Sequence, residues 1–402
     1  MWRSLALVSL GAPALLALAA SCSSQDQAGA IPVDAGADAS MLDATTGLPM
    51  PDGAPEAGDA ETMPSDAGVL GPDGGDGSAT DAGACTLGDA GEPTDLRCTG
   101  LYADWATKTI AADALEYDPG LHLWSDGAVK TRWIHLPPSA SDGGGPQPID
   151  TSNMDEWTFP VGTKFWKEFV LGGKRVETRL LWKQSPTSWY RTTYRWSPDE
   201  SAATELTTGE LDADGDGYEV PTQAACPQCH GGRKDDVLGF EAVSLSSAAA
   251  TPITMQTLAA QGWITDGPDG GIVIPGDATD IAALGYLHAN CGTTCHNRGS
   301  GAARGTGFFL RLEVGNLGSV QATDAWQTGV DQASYLTAQG STEPQIILVP
   351  GDAGASLVST RMSTRTGVGD AAIGIQMPPI DTHKVDDAGV SLIAQWIAQG
   401  CK

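Results

Sequence analysis

The chain has 402 residues and carries 50 Asp and Glu against 22 Lys and Arg, a net charge of -28. An acidic balance without a basic stripe excludes nucleic acid as a partner class. The charge is unevenly spread: residues 23–93 hold no Lys or Arg.

At the N-terminus, Trp2-Arg3 precede an apolar run from Leu5 to Ala20 that ends in small residues and is short for a bilayer span, the pattern of a signal peptide over 1-21. Leu18-Ala19-Ala20-Ser21-Cys22 resembles a bacterial lipobox, with Ala19 where Leu is usual. This reading makes Cys22 the lipidated first residue of an exported protein, held to the outer membrane on its periplasmic or cell-surface side. Plain cleavage near Ala20 would leave Cys22 free. No later apolar run approaches the roughly 20 residues of a transmembrane helix, so the expected membrane attachment is by lipid alone.

Residues 22-94 are Ala, Gly, Asp and Pro with few large apolar side chains. They read as a disordered acidic tether, because such a segment buries too little surface to offset its ordering entropy. The remaining stretch, roughly 300 residues, suffices for two ordinary domains. Over 95-223 the pattern is of strands, at 131–136, 164–170 and 176–182, with Leu171-Gly172-Gly173-Lys174 as a hairpin tip. This predicts an antiparallel β-sandwich-like domain, Trp-rich, with its tryptophans read as core more readily than as a sugar-stacking surface. Beyond it the texture becomes mainly helical. Helices are expected over 253–260, 280–290 and 387–399, and strands at 308–312 and 346–349. The fold class is therefore α+β, with a first site-bearing segment at 224-275 and a second over 276-402.

The strongest chemical signal is Cys226-Pro227-Gln228-Cys229-His230. Two thiols two residues apart match the two vinyl groups of haem, and the following histidine can ligate the iron. Three readings compete with c-type haem. A thioredoxin-like pair needs a strand-to-helix context that the approach from Val220 lacks; a zinc site would need further ligands, which the second motif could supply; a plain disulfide leaves His230 unexplained. The second constellation is an ordered series: a helix ending at Asn290, then Cys291-Gly292-Thr293-Thr294-Cys295-His296, later Met377-Pro378-Pro379, and a closing helix with Trp396. That is the order of a small c-type cytochrome, Cys291 and Cys295 forming thioethers, His296 the proximal ligand and Met377 the distal one. Three residues rather than two separate its cysteines.

With these motifs, and with Leu123-Trp124-Ser125-Asp126-Gly127-Ala128, Trp157 to Thr163, Glu177 to Leu180 and Gly285 to Cys291, the chain resembles a bacterial family of exported di-haem c-type cytochromes. In that family a Trp-rich β region precedes two haem-binding segments. The resemblance spans about Leu101 to Lys402. It implies haem c at Cys226, Cys229 and His230, and a second haem at Cys291, Cys295, His296 and Met377, where the extra residue departs from the family pattern.

Asp212, Asp214 and Asp216 occupy the first, third and fifth positions of a loop with glycine at the sixth, as in calcium loops. Gln223 stands where the bidentate acid belongs, so a solvated turn competes with calcium binding. The eight cysteines leave Cys85, Cys98 and Cys401 over. The expected function is electron transfer to a redox partner protein. The first haem's distal ligand is open among Met255, His135, His122 and Met154, and an open iron would instead suit a haem enzyme of peroxidase type. In a further alternative the protein is a mono-haem binding module whose second site has become a Cys291–Cys401 disulfide.

Overall fold

In a computed structural model the described residues are 85, 87–88, 91–139, 144–268, 270–335, 344–365 and 375–402. All belong to one unit, Gly77–Lys402. The expected signal peptide, Cys22 and most of the expected tether lie outside the described residues.

A short hairpin, β1 (Tyr102–Asp104) and β2 (Thr109–Ile110), precedes a six-stranded antiparallel meander. Its strands are β3 (Leu115–Glu116), β4 (Val129–His135), β5 (Lys164–Leu171), β6 (Lys174–Ser185), β7 (Ser188–Trp196) and β8 (Ala203–Glu205). Each strand pairs with the next in sequence. Trp133, Trp166 and Leu180 align across β4, β5 and β6. With Tyr194 and Trp196 they form one apolar face. The period of two sends their neighbours Ile134 and Phe165 to the other face. The β5–β6 turn lies at Gly172 and Gly173, both with positive φ, which glycine adopts without steric cost.

The antiparallel strands and the α+β class are as expected, but among the described residues a second large sheet does not face the first. The hairpin segment covers one face, where Trp105 stacks on Trp196 at 5.2 Å between ring centroids. Helices cover the other. They are α1 (Cys226–His230), α2 (Ala242–Leu245), α3 (Met255–Ala260), α4 (Ala278–Leu287), α5 (Asp324–Gly329), α6 (Leu357–Met362) and α7 (Asp387–Ala398). Asp277 and Asp280 form a reciprocal capping box at the start of α4. The α4 stripe of Ala283, Leu284 and Leu287 shares a core with Ile393, Trp396 and Ile397 of α7, and the Trp396 indole donates to Asp280 at 2.8 Å. That core also contains Ile134 and Phe165 of the sheet, so sheet and helices are built on common hydrophobic ground.

Trp133, Trp157, Trp166, Trp189 and Trp196 are buried and Trp124 and Trp182 half-buried, which leaves these seven as core and boundary residues. The expected strands at 308–312 and 346–349 form no ladder; Ile346 and Leu348 make only isolated bridges, to Ala333 and Val330.

Candidate functional site

The first motif forms the single turn α1, with Pro227 in its opening turn, where its missing N–H costs nothing. Cys226 and Cys229, three residues apart on a helix, share a side. The Nδ1–H of His230 meets the Asp236 carbonyl at 2.6 Å. This contact holds the proton on Nδ1 and leaves Nε2 with its lone pair free. Burial first, then the nearby Lys167, Arg179 and Arg191 cations, push the His230 imidazole down to about 3. The neighbouring Asp235 is pinned to the sheet, accepting from Lys183 Nζ at 2.6 and 2.8 Å and from the Trp189 indole at 2.7 Å.

The second motif continues α4. At its end the helix widens into a π-turn over His288–Gly292. The Thr293 N–H reaches the His288 carbonyl and the His296 N–H the Cys291 carbonyl, each five residues back, at 2.9 and 2.8 Å. Gly292 is required there, because a Cβ would lie 2.4 Å from the Arg311 nitrogen. His296 repeats the arrangement of His230: its Nδ1–H meets the Phe308 carbonyl at 2.9 Å, and burial lowers its pKa.

The two motifs abut. A Cβ at Gly232 would lie 2.3 Å from the Thr294 carbonyl oxygen, and the Ser300 hydroxyl donates to the Gly231 carbonyl at 2.6 Å. Both open on one cavity of about 400 Å³, lined by Cys229, His230, Cys291, Cys295, His296 and Met377 among others. The volume falls in the range of cofactor clefts. The four motif cysteines are free thiols. Burial pushes Cys229 and Cys291 up to about 12 and also raises Cys226 and Cys295. Such surroundings do not activate a redox dithiol, which needs a lowered pKa. Arg361, on the cavity wall, has its buried Nη2 without a hydrogen-bond partner among the described residues.

Met377 lines the cavity with Pro378 and Pro379, and its N–H donates to the Arg361 carbonyl. The other expected ligands lie elsewhere. Met255 is buried in the main core and Met154 packs against that core; His122 pairs with Asp118 and His135 with Asp113. In the acidic loop, Asp212 accepts from Gly217 N at 2.6 Å, Asp214 from Asp216 and Tyr218 N at 3.0 and 2.9 Å, and Asp216 from Lys384 Nζ. Among the described residues no three His, Cys, Asp or Glu side chains gather as calcium or zinc would require; a haem iron would need only axial donors. Cys85 pairs with Cys98. Cys401 and Cys291 are both unbonded thiols, so the disulfide alternative for the second site is not formed.

Sequence reasoning missed the basic wall of the cavity. Lys130, Lys167 and Arg179 line it from β4, β5 and β6, and Lys167 and Arg179 align with Arg132 of β4 on the helix-covered face. Their signal was present as charges at alternate positions of otherwise apolar strands. Met362, also on the wall, had no signal of its own. Neither protein-family models, nor curated proteins, nor solved structures provide a match to this chain.

Proposed function

We propose that the protein is a c-type cytochrome that carries electrons through covalently bound haem, one at each motif, and belongs to the di-haem family it resembles. The observation that carries this reading is the single cavity onto which both motifs open. Each motif offers half-buried thiols and an imidazole whose Nδ1–H is already engaged by a carbonyl. Cys226 and Cys229 would bond one haem and Cys291 and Cys295 the other, His230 and His296 being the proximal ligands. Haem supplies one-electron chemistry when bound; the protein's residues supply ligation, burial and charge compensation. Met377 offers a thioether to the second iron. The unpartnered guanidinium nitrogen of Arg361 suits a haem propionate, which would satisfy it with a charge-assisted bond. A signal peptide and Cys22 would export the chain and anchor it to the outer membrane by lipid, where it would meet a redox partner protein.

The test is a haem count on full-length protein from a host competent for cytochrome c maturation, by pyridine haemochrome spectrum and intact mass. The expectation is two haems, with Cys226→Ala/Cys229→Ala and Cys291→Ala/Cys295→Ala each removing one. A protein that matures in such a host without haem would overturn the reading.

A further inference from the structure

The cavity holds more donors than two proximal histidines and Met377 use. Met362 and Met377 stand together beside Cys291 in a small recess of it, which assigns both thioethers to the neighbourhood of the second motif. On the first motif's side, the Tyr218 hydroxyl is committed to Glu177 at 2.6 Å. The Lys130 ammonium donates to the carbonyls of Leu123 and Ala128 at 2.7 and 3.2 Å. Lys167 differs from both. It lies in mid-β5, aligned between Arg132 and Arg179, and lines the cavity together with Cys229 and His230. Among the described residues its side chain makes no hydrogen bond and no ion pair.

We infer that the Lys167 amine is the distal ligand of the iron whose proximal ligand is His230. The inference rests on the haem reading above and adds to it the identity of the first iron's sixth ligand. Its basis is geometric: a nitrogen donor faces the cavity beside the first motif, and the other nitrogen and sulfur donors there are engaged or belong to the motifs, which leaves the Asp381 carboxylate as the one rival on that side among the described residues. The surroundings favour the ligating form. An enclosed amine without an anion is costly as an ammonium. A neutral amine keeps the lone pair that iron requires; a guanidinium at the same position would have none to offer. Occupation of the sixth position would make the first haem an electron carrier rather than a site for peroxide.

The test uses full-length holoprotein with ligation read by electron paramagnetic resonance and near-infrared magnetic circular dichroism of the ferric state. In the wild type, the first haem should be low-spin with the signature of an amine–imidazole pair. Lys167→Ala and Lys167→Arg should each convert about half of the iron, the share of one haem in two, to a high-spin form that returns to low-spin on adding imidazole. Lys167→Met, which keeps an unbranched donor in the buried position, should replace the amine signature by a second thioether-to-iron band. The haem count should stay unchanged in all three. A five-coordinate first haem in the wild type, or a Lys167→Arg protein with the wild-type ligation signature, overturns the inference; the second result would mark Lys167 as a partner of haem carboxylates. Absence of haem from Cys226 and Cys229 in the wild type is a separate outcome, seen in the haem count before any variant is made, and it would sink the functional reading as well.

Discussion

Asp235 shows how much a single side chain decides in this molecule. It is 6% exposed and accepts from the Lys183 ammonium, the Trp189 indole and the Phe159 N–H, the last at 2.6 Å. Lys183 is 1% exposed and relies on that carboxylate for its counter-charge. Removing one partner of a buried pair leaves an uncompensated charge, so Asp235→Ala should cost about 3–5 kcal/mol in denaturant unfolding. It should also loosen the segment whose next carbonyl, that of Asp236, orients His230, and so, on the proposed haem reading, broaden the spectrum of a haem held there. Unchanged stability would show that water replaces the carboxylate without penalty. Nothing in the sequence marks this role, because Arg233-Lys234-Asp235-Asp236 reads as an ordinary solvated charge run. The cysteines and histidines of the motifs stand out in the sequence by their spacing, and the fold brings both motifs to one cavity; Asp235 and Lys183 meet only through tertiary packing.

At the scale of elements, the three residues between Cys291 and Cys295 had looked like a misfit to haem attachment. The π-turn supplies a physical account, since a helix that closes its hydrogen bonds five residues back has room for one more residue without displacing the chain beyond it. If the insertion is absorbed this way, deleting Thr293 should return the motif to two intervening residues and leave the haem count at two. Loss of one haem on deletion would show instead that the wider turn is needed to aim His296. The same scale separates what patterning could foresee from what it could not. The β5–β6 hairpin and the closing helix α7 were readable, because glycines with positive φ and an apolar stripe at helical spacing each have a local cause. The runs at 308–312 and 346–349 were read as strands because they are apolar, yet Leu310, Leu312 and Leu348 are buried as irregular chain within the core. A short apolar run reports burial and leaves its hydrogen-bond partners undetermined. Likewise, the strand pattern of β4 to β6 predicted a β-sandwich-like domain, and nothing in it showed that helices rather than a second sheet would cover the face of Ile134 and Phe165.

For the whole molecule, the link between the sheet-side segment and the second motif runs through Glu241. Its carboxylate caps α2, accepting from Val243 N at 2.8 Å and Ser244 N at 2.7 Å, and meets His288 Nε2 at 3.2 Å at the start of the π-turn. His288 in turn accepts from the Leu312 N–H through Nδ1 at 2.9 Å. Burial raises the Glu241 pKa, but His288, Arg233 and the Ser244 bond together outweigh it and hold the carboxyl well below the usual glutamate range. A carboxyl whose folded pKa lies below its unfolded value, about 4.3, contributes stability that is complete above that value. The contribution is lost as pH falls from there through the folded pKa. Below about pH 4 this one group should steepen the decline in unfolding free energy by up to about 1.4 kcal/mol per pH unit. Glu241→Gln should be less stable than the wild type at neutral pH, since the amide keeps one accepting oxygen where the N–H groups of Val243, Ser244 and His288 share two, and turns an NH2 toward one of them; its stability should fall less steeply on acidification. The two curves should therefore converge as pH is lowered. Parallel curves between pH 6 and pH 3, measured by denaturant unfolding at matched ionic strength, would show that Glu241 does not set the acid limit of the fold.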